Sequence, residues 1–136
     1  MTRDIVTLSE EDNLEGIAAA MERYQFRHVP VVDAGRLVGM VSQRDVLRLA
    51  MSSLLDKGGA EVEARLEEQT FVARVMTREP LHVLAETTLR EAAELMVVHK
   101  VGALPVLGAD GKLVGIVTTE DVLRAAMSYF PASRAT

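Results

Sequence analysis

The sequence predicts a mixed α/β (α+β) fold that consists of two tandem β-α-β-β-α repeats. The first observation is an internal repeat, since 11 of the 16 residues of Leu37–Ser52 are identical in Leu113–Ser128. The second is that Met-Thr-Arg at residue 1 recurs at residue 76, and that Pro30 recurs at the same offset as Pro105. The third is that, in each copy, short apolar stretches of strand length alternate with segments of helical periodicity.

The repeats divide the 136 residues into four segments. We expect the first repeat at residues 1–56 and the second at residues 76–130. They are joined by a linker at 57–75, in which a Glu-rich stretch predicts a short exposed helix. The tail at 131–136 has no periodic pattern, and we expect it to be disordered. Because nothing equivalent to Phe71–Val75 precedes Met1, the sequence indicates either an abrupt natural start or a piece of a longer protein.

The first repeat contains strand and helix signals in a fixed order. These are a strand at Ile5–Leu8, a helix capped by Asp12 or Asn13, strands at 29–32 and 37–41, and a helix from Val46. Pro30 lacks an N–H donor, which places it at the start or the edge of a sheet. Spacings of three and four residues predict that the first helix buries Leu14, Ile17, Ala18 and Met21. The second helix would bury Val46, Leu47, Ala50, Met51 and Leu54.

The second repeat copies this order. The elements are a strand at Leu81–Leu84, a helix at Leu89–Val98, strands at Ala103–Leu107 and Leu113–Val117, and a helix from Val122. The inward residues of its first helix would be Leu89, Ala92, Ala93 and Met96. Aromatic residues make up only 4% of the chain, so aliphatic residues and methionine must form the core. We expect Met21, Met40, Met51, Met96 and Met127 there.

Composition excludes several classes of function. The net charge of −5 argues against a nucleic-acid partner, and the absence of cysteine excludes disulfides and thiolate chemistry. No apolar run approaches the roughly 18 residues of a membrane span, and the first residues given do not have the character of a signal peptide, so we expect a cytoplasmic protein. His82 and His99 have no metal-ligand partners at a useful spacing. With no nucleophile beside a base and no Gly-rich phosphate loop, the sequence predicts neither an enzyme nor a metal site.

The repeated motif predicts a helix start. Ser42 and Asp45, like Thr118 and Asp121, have the hydroxyl-x-x-carboxylate spacing of a capping box. Free backbone N–H groups and the positive end of the helix dipole meet at such a point, which suits a hydroxyl-rich or phosphorylated ligand. The alternative is that the motif serves only to cap the helix, although capping does not exclude contact with a ligand.

Tandem repeats that each end in Gly-apolar-apolar-(Ser/Thr)-x-x-Asp resemble the cystathionine-β-synthase (CBS) domain pair, or Bateman module. The resemblance extends from Met1 to about Met127. The matching segments are Met1-Thr2, Val29–Asp33 and Gly39–Asp45 in the first repeat, and Met76-Thr77, Leu104–Val106 and Gly115–Asp121 in the second. It implies that the repeats pack sheet to sheet around a pseudo-twofold axis, with adenosyl ligands in the cleft between them.

The resemblance also assigns roles to residues. The motif Asp would bind ribose hydroxyls, the Ser or Thr would contact ribose or phosphate, and the purine would lie between apolar strand residues near the proline. The implied site residues are Thr7, Arg27, His28, Val29, Pro30, Ser42, Arg44 and Asp45 in the first repeat, and His82, Ala103, Leu104, Pro105, Thr118 and Asp121 in the second.

The two sites differ in charge. Arg27, His28 and Arg44 could converge on a phosphate, whereas Gly102, Ala103 and Glu120 occupy the matching positions of the second repeat. The alternative is that Arg27 and His28 are ordinary surface residues near a helix C-terminus.

We therefore expect a regulatory module that binds AMP, ADP, ATP or S-adenosylmethionine and has no catalytic cofactor. The alternative is a ligand-free dimerisation or assembly domain. The implied partners are a second copy of the chain and a fused or separate effector protein. The dimer surface would consist of Leu47, Ala50, Met51, Leu54, Leu123, Ala126 and Met127.

Overall fold

Two three-stranded sheets organise the described part of the chain, which comprises residues 3, 5–14, 17–55 and 71–132 of a computed structural model. The helix predicted in the Glu-rich linker and the end of the tail lie outside these residues. Two compact units result. The first-repeat unit contains Val6–Pro80 and Gly111–Leu113, and the second-repeat unit contains Met1–Ile5, Leu81–Asp110 and Val114–Thr136. The predicted mixed α/β fold is confirmed.

The first-repeat unit places its helices around an antiparallel sheet. Its strands are β1 (His28–Asp33), β2 (Arg36–Ser42) and β3 (Thr77–Arg78), and its helices are α1 (Ile17–Tyr24), α2 (Gln43–Leu55) and α3 (Val72–Val75). β2 pairs antiparallel with both neighbours. The predicted strand Ile5–Leu8 is reduced to one parallel bridge, in which the Leu8 N–H donates to the Pro30 carbonyl and the Leu8 carbonyl accepts from Val32.

Local chemistry explains the hairpin between β1 and β2. Asp33 pairs with Arg36, so the loop has two residues, Ala34 and Gly35, both with positive φ. Two-residue loops with this backbone match the twist of antiparallel strands, and glycine adopts it without steric strain. Pro30 lies at the outer strand of the sheet, as its missing donor predicts.

The second-repeat unit repeats this plan. Its strands are β4 (Val83–Leu84), β5 (Ala103–Leu107) and β6 (Leu113–Thr118), and its helices are α4 (Leu89–His99) and α5 (Thr119–Ala126), followed by a 3₁₀ turn. β4 runs parallel to β5, with Val83 opposite Val106. This pair is equivalent to Leu8 and Val31 of the first repeat.

Each unit has its own apolar core. The first contains Leu14, Ile17, Met21, Val29, Val31, Val41, Val46, Val72 and Met76. The second contains Val83, Ala92, Met96, Leu104, Val106 and Val117. The helical periodicity of the sequence therefore identified most of the inward residues of α1 and α4.

Some core predictions were wrong. Leu47, Met51, Leu89 and Met127 were expected to be buried, and all four are exposed. Leu47 and Met51 lie on a face of α2 that the rest of their unit does not cover. Met127 lies in the 3₁₀ turn after α5 and is likewise not covered by its own unit. Both motif helices begin directly after the Ser or Thr of the predicted capping box, at Gln43 and Thr119, three residues before the apolar positions at Val46 and Val122 from which the helices were also inferred.

Candidate functional site

The first motif lies where β2 ends and α2 begins. The Ser42 N–H donates to Oδ2 of Asp45 at 2.8 Å, and the Asp45 N–H donates to Oγ of Ser42 at 3.2 Å. This reciprocal pair confirms the predicted capping box. Within the described part of the chain, no donor reaches Oδ1 of Asp45. One oxygen of the half-buried carboxylate therefore holds the helix start, and the other is an open acceptor.

The second motif has the same geometry between β6 and α5. The Thr118 N–H donates to Oδ2 of Asp121 at 2.9 Å, and the Asp121 N–H donates to the Thr118 hydroxyl at 3.3 Å. That hydroxyl also donates to Oδ2 at 3.1 Å. Oδ1 of Asp121 again accepts no hydrogen bond from a described residue, so the two motifs present equivalent acceptors.

Backbone hydrogen bonds join each motif to the residues before the neighbouring strand. The Gln43 N–H donates to the Arg27 carbonyl at 2.7 Å, and the Thr119 N–H donates to the Gly102 carbonyl at 3.0 Å. His28 lies directly opposite Ser42 in the β1–β2 ladder. The fold thus brings together the backbone positions of Arg27, His28, Ser42 and Asp45, which are separated by up to 18 residues in sequence.

His28 is partly buried at the start of β1, beside the first motif. Burial lowers its pKa below the ordinary value of 6.5, the Asp45 carboxylate raises it by a smaller amount, and Arg27 lowers it further. The imidazole is therefore mainly neutral at pH 7, and it gains positive charge only as the pH falls. In the second-repeat unit Ala103 takes this position, so the equivalent site has no titratable side chain there.

The charged side chains of the two sites differ. Arg44 and Arg48 lie in the first turns of α2, one turn apart, and neither forms an ion pair with a described residue. At the equivalent positions of α5, Glu120 and Arg124 form an ion pair of 2.7 Å that neutralises both. Arg48 was not among the predicted site residues, although its spacing of four residues from Arg44 places it on the same helix face.

The remaining candidates divide by exposure. Five candidates on the proline-containing strands are buried, and their side chains pack inside their own units. They are Val29, Pro30, Ala103, Leu104 and Pro105. The exposed candidates are Thr7, Arg27, Arg44 and His82. Thr7 and His82 occupy equivalent positions, each one residue before the parallel pairing with the proline-containing strand.

Two features of the described residues bear on other ligands. No group of three His, Asp or Glu side chains in this part of the chain is placed to hold a metal ion. Among the same residues, no helix combines the length and apolar character needed to cross a bilayer.

Comparison with known proteins identifies similar sequences and folds. The CBS domain family matches residues 1–52 and 72–128. MJ1225 of Methanocaldococcus jannaschii, proposed to be an archaeal homologue of g-AMPK, is 31% identical in its crystal structure, with a TM-score of 0.78 over 92% of this chain and 45% of that chain. The CBS-pair protein CBSX2 of Arabidopsis thaliana, solved in complex with AMP, is 31% identical with a TM-score of 0.76, over 95% and 93% of the two chains.

Some relatives are much longer than this chain. The inosine-5'-monophosphate dehydrogenase of Korarchaeum cryptofilum is 34% identical over 120 residues, which are 88% of this chain and 22% of that protein. For MJ1225 the aligned share of the full protein is 44%. The similarity therefore concerns one region of each longer relative.

Proposed function

This chain belongs to the CBS domain family, and we propose that it is a regulatory, non-catalytic module that binds an adenine nucleotide at the Ser42–Asp45 motif. The observation that carries the proposal is the open carboxylate oxygen of Asp45 at a helix start that also bears Arg44 and Arg48. The likeness to CBSX2, which binds AMP, supports the choice of ligand class.

The proposed contacts follow from the chemistry of the described residues. A ribose cis-diol donates to Oδ1 of Asp45, because an ionised carboxylate accepts several hydrogen bonds. The phosphate groups of AMP, ADP or ATP lie toward the guanidiniums of Arg27, Arg44 and Arg48. The N-terminal end of α2 adds a favourable dipole for this anion.

The second motif has the same proposed ribose acceptor, but its equivalent of Arg48, Arg124, is paired with Glu120. The Glu120–Arg124 pair leaves little net charge, and Gly102 and Ala103 add none. We expect this site to disfavour phosphate and to take an uncharged or cationic adenosyl compound such as S-adenosylmethionine.

Regulation requires that the ligand bind two conformations of the module with different affinity. The differential contacts would be made at the starts of α2 and α5, where each motif joins a strand to a helix. A fused or separate effector protein would then respond to the change in packing.

Titration calorimetry with AMP, ATP and S-adenosylmethionine tests the proposal. Losing one charge-assisted arginine–phosphate bond of about 1.5–3 kcal/mol should weaken AMP binding by roughly 10- to 150-fold in Arg44→Ala. Arg90→Ala is the matched control, because Arg90 is an exposed helix arginine paired with Glu94. Equal AMP affinity in the wild type and Arg44→Ala would contradict the proposal.

A second candidate function is assembly without a ligand. It is favoured by exposed apolar side chains on the two motif helices and the turn that follows, namely Leu47, Met51, Leu123 and Met127. Exposed apolar side chains of this kind, present on each of the two units, suit a homodimer. Sedimentation at micromolar concentration distinguishes the outcomes, because a stable species of 14.8 kDa excludes the dimer. A dimer whose thermal unfolding no adenosyl ligand shifts would favour assembly over ligand binding.

A further inference from the structure

The residue that follows the motif hydroxyl differs between the repeats. It is Gln43 in the first-repeat unit and Thr119 in the second-repeat unit, and each is the first residue of its motif helix. In both units its backbone N–H donates to the carbonyl of the residue directly before the proline-containing strand, at 2.7 Å for Arg27 and 3.0 Å for Gly102. Because this backbone contact is shared, any difference between the two positions must come from the side chains.

The side chain of Thr119 adds a second hydrogen bond to the same acceptor. Its hydroxyl donates to the Gly102 carbonyl at 3.2 Å. A backbone carbonyl has two lone pairs, so the N–H and the hydroxyl of Thr119 together use the full accepting capacity of Gly102. Thr119 thereby closes this acceptor to a ligand.

The equivalent carbonyl of the first-repeat unit, that of Arg27, is an open acceptor. Among the residues that the structure describes, the Gln43 N–H is the one donor that reaches this carbonyl, and it leaves the second lone pair unused. Arg27 is an exposed residue, so a ligand can approach this position from solvent. The first-repeat unit therefore offers a hydrogen-bond acceptor that the second-repeat unit lacks.

The open carbonyl and the open carboxylate oxygen belong to the same short stretch of backbone. The consecutive N–H groups of Ser42 and Gln43 bond to the Asp45 carboxylate at 2.8 Å and to the Arg27 carbonyl at 2.7 Å. Because consecutive Cα atoms are only about 3.8 Å apart, both acceptors lie within the span of one nucleoside. A nucleoside whose ribose binds Asp45 can therefore present its base to the Arg27 carbonyl.

We propose that the residue after the motif hydroxyl determines base specificity, and that Gln43, by leaving the Arg27 carbonyl open, makes the first motif select a purine with an exocyclic amino donor. This inference rests on the proposed nucleotide site at Asp45. Adenine has an amino group at C6, whereas hypoxanthine has a carbonyl oxygen there, and two facing acceptors form no hydrogen bond. The first motif should prefer AMP to IMP, and Thr119 removes this basis for selection from the second motif.

Titration calorimetry with AMP and IMP on the full chain tests the proposal. The two nucleotides share ribose and phosphate, so the ratio of their affinities reports on the base alone. Gln43→Thr installs the hydroxyl that Thr119 has, and Gln43→Val is the matched control, because valine has the same branched shape without a donor. Circular dichroism and urea unfolding check the fold of both variants, and the wild-type comparison depends on neither of them.

One neutral hydrogen bond predicts that the wild type binds AMP roughly 2- to 12-fold more tightly than IMP. Gln43→Val should keep this preference, whereas Gln43→Thr should abolish it by weakening AMP binding and leaving IMP binding unchanged. Equal ratios of AMP to IMP affinity in the two variants would overturn the proposal. A wild type that binds both nucleotides equally would overturn this inference alone, whereas a wild type that binds neither would overturn the proposed function and this inference with it.

Discussion

Replacing Asp45 by Asn should weaken nucleotide binding and leave the fold almost unchanged, whereas Asp45→Ala should affect both. Oδ2 of Asp45 accepts from the Ser42 N–H at 2.8 Å, and the amide oxygen of Asn can take over that bond. What Asn removes is the negative charge and the second acceptor oxygen that the ribose would use. Ala removes the cap acceptor as well.

The expected magnitudes separate the two roles of the carboxylate. Asp45→Ala should lower the free energy of unfolding by roughly 1–2 kcal/mol, because a cap bond and a charge near the helix start are lost. Asp45→Asn loses only the charge effect, roughly 0.3–1 kcal/mol. A hydrogen bond to a charged group contributes about 1 kcal/mol more than one between neutral groups. If both ribose hydroxyls bond to Asp45, the loss of its charge in Asp45→Asn should decrease the AMP affinity by roughly 10- to 100-fold.

Urea unfolding without ligand and titration calorimetry with AMP measure the two effects independently. Asp121→Asn is the matched control, because the second motif has the same cap and faces no cluster of arginines. It should lose a similar amount of stability and bind AMP like the wild type. The reasoning is refuted if Asp45→Asn keeps wild-type affinity, or if Asp121→Asn weakens AMP binding by as much.

The pKa of His28 lies below 6.5 in the folded state, so its contribution to stability is fully present above pH 6.5 and is lost as the pH falls through the pKa of the folded state. Urea unfolding from pH 7.5 to 5 should show this loss in the wild type and not in His28→Ala. Gly39→Ala should lower the free energy of unfolding by about 1–3 kcal/mol, because its Cβ would overlap the buried Met76 side chain, and an unchanged urea midpoint would contradict this overlap. Glu120→Arg should give the second motif a measurable AMP affinity in calorimetry, and a stoichiometry that does not rise would show that local charge does not decide ligand choice.

Features set by local sequence were predictable. The capping boxes at Ser42 and Thr118 follow from residue types three positions apart, and their hydrogen bonds form within one helical turn. The same is true of Met21 and Met96, whose spacing from neighbouring apolar residues determines the buried face. The equivalent cap geometry of the two motifs could be predicted because the motif occurs twice.

Features set by contacts distant in sequence were not predictable. Phe71–Val75 is too short for a period to be detected, and its helix is held by acceptors near residue 12. Leu14 is buried in the apolar cluster that includes Val72, whereas Leu89 is exposed, and no local pattern distinguishes two leucines at one position of a repeat. Asp45 was assigned to a ligand's ribose hydroxyls only by resemblance, because sequence does not show that the cap uses one carboxylate oxygen and leaves the other open.

The boundary between sequence repeats also differs from the boundary between folded units. Met76 opens the second repeat by sequence, yet it is buried in the core of the first-repeat unit, and β3 pairs with β2 through Gly39 and Met40. β2 ends at Ser42, which caps the helix of the first motif. β2, which ends at the proposed nucleotide-binding motif, is thus hydrogen-bonded to the segment that continues into β4. A ligand that altered the end of β2 would act directly on this β2–β3 ladder, so the first-repeat unit depends on residues that the sequence assigns to the second repeat.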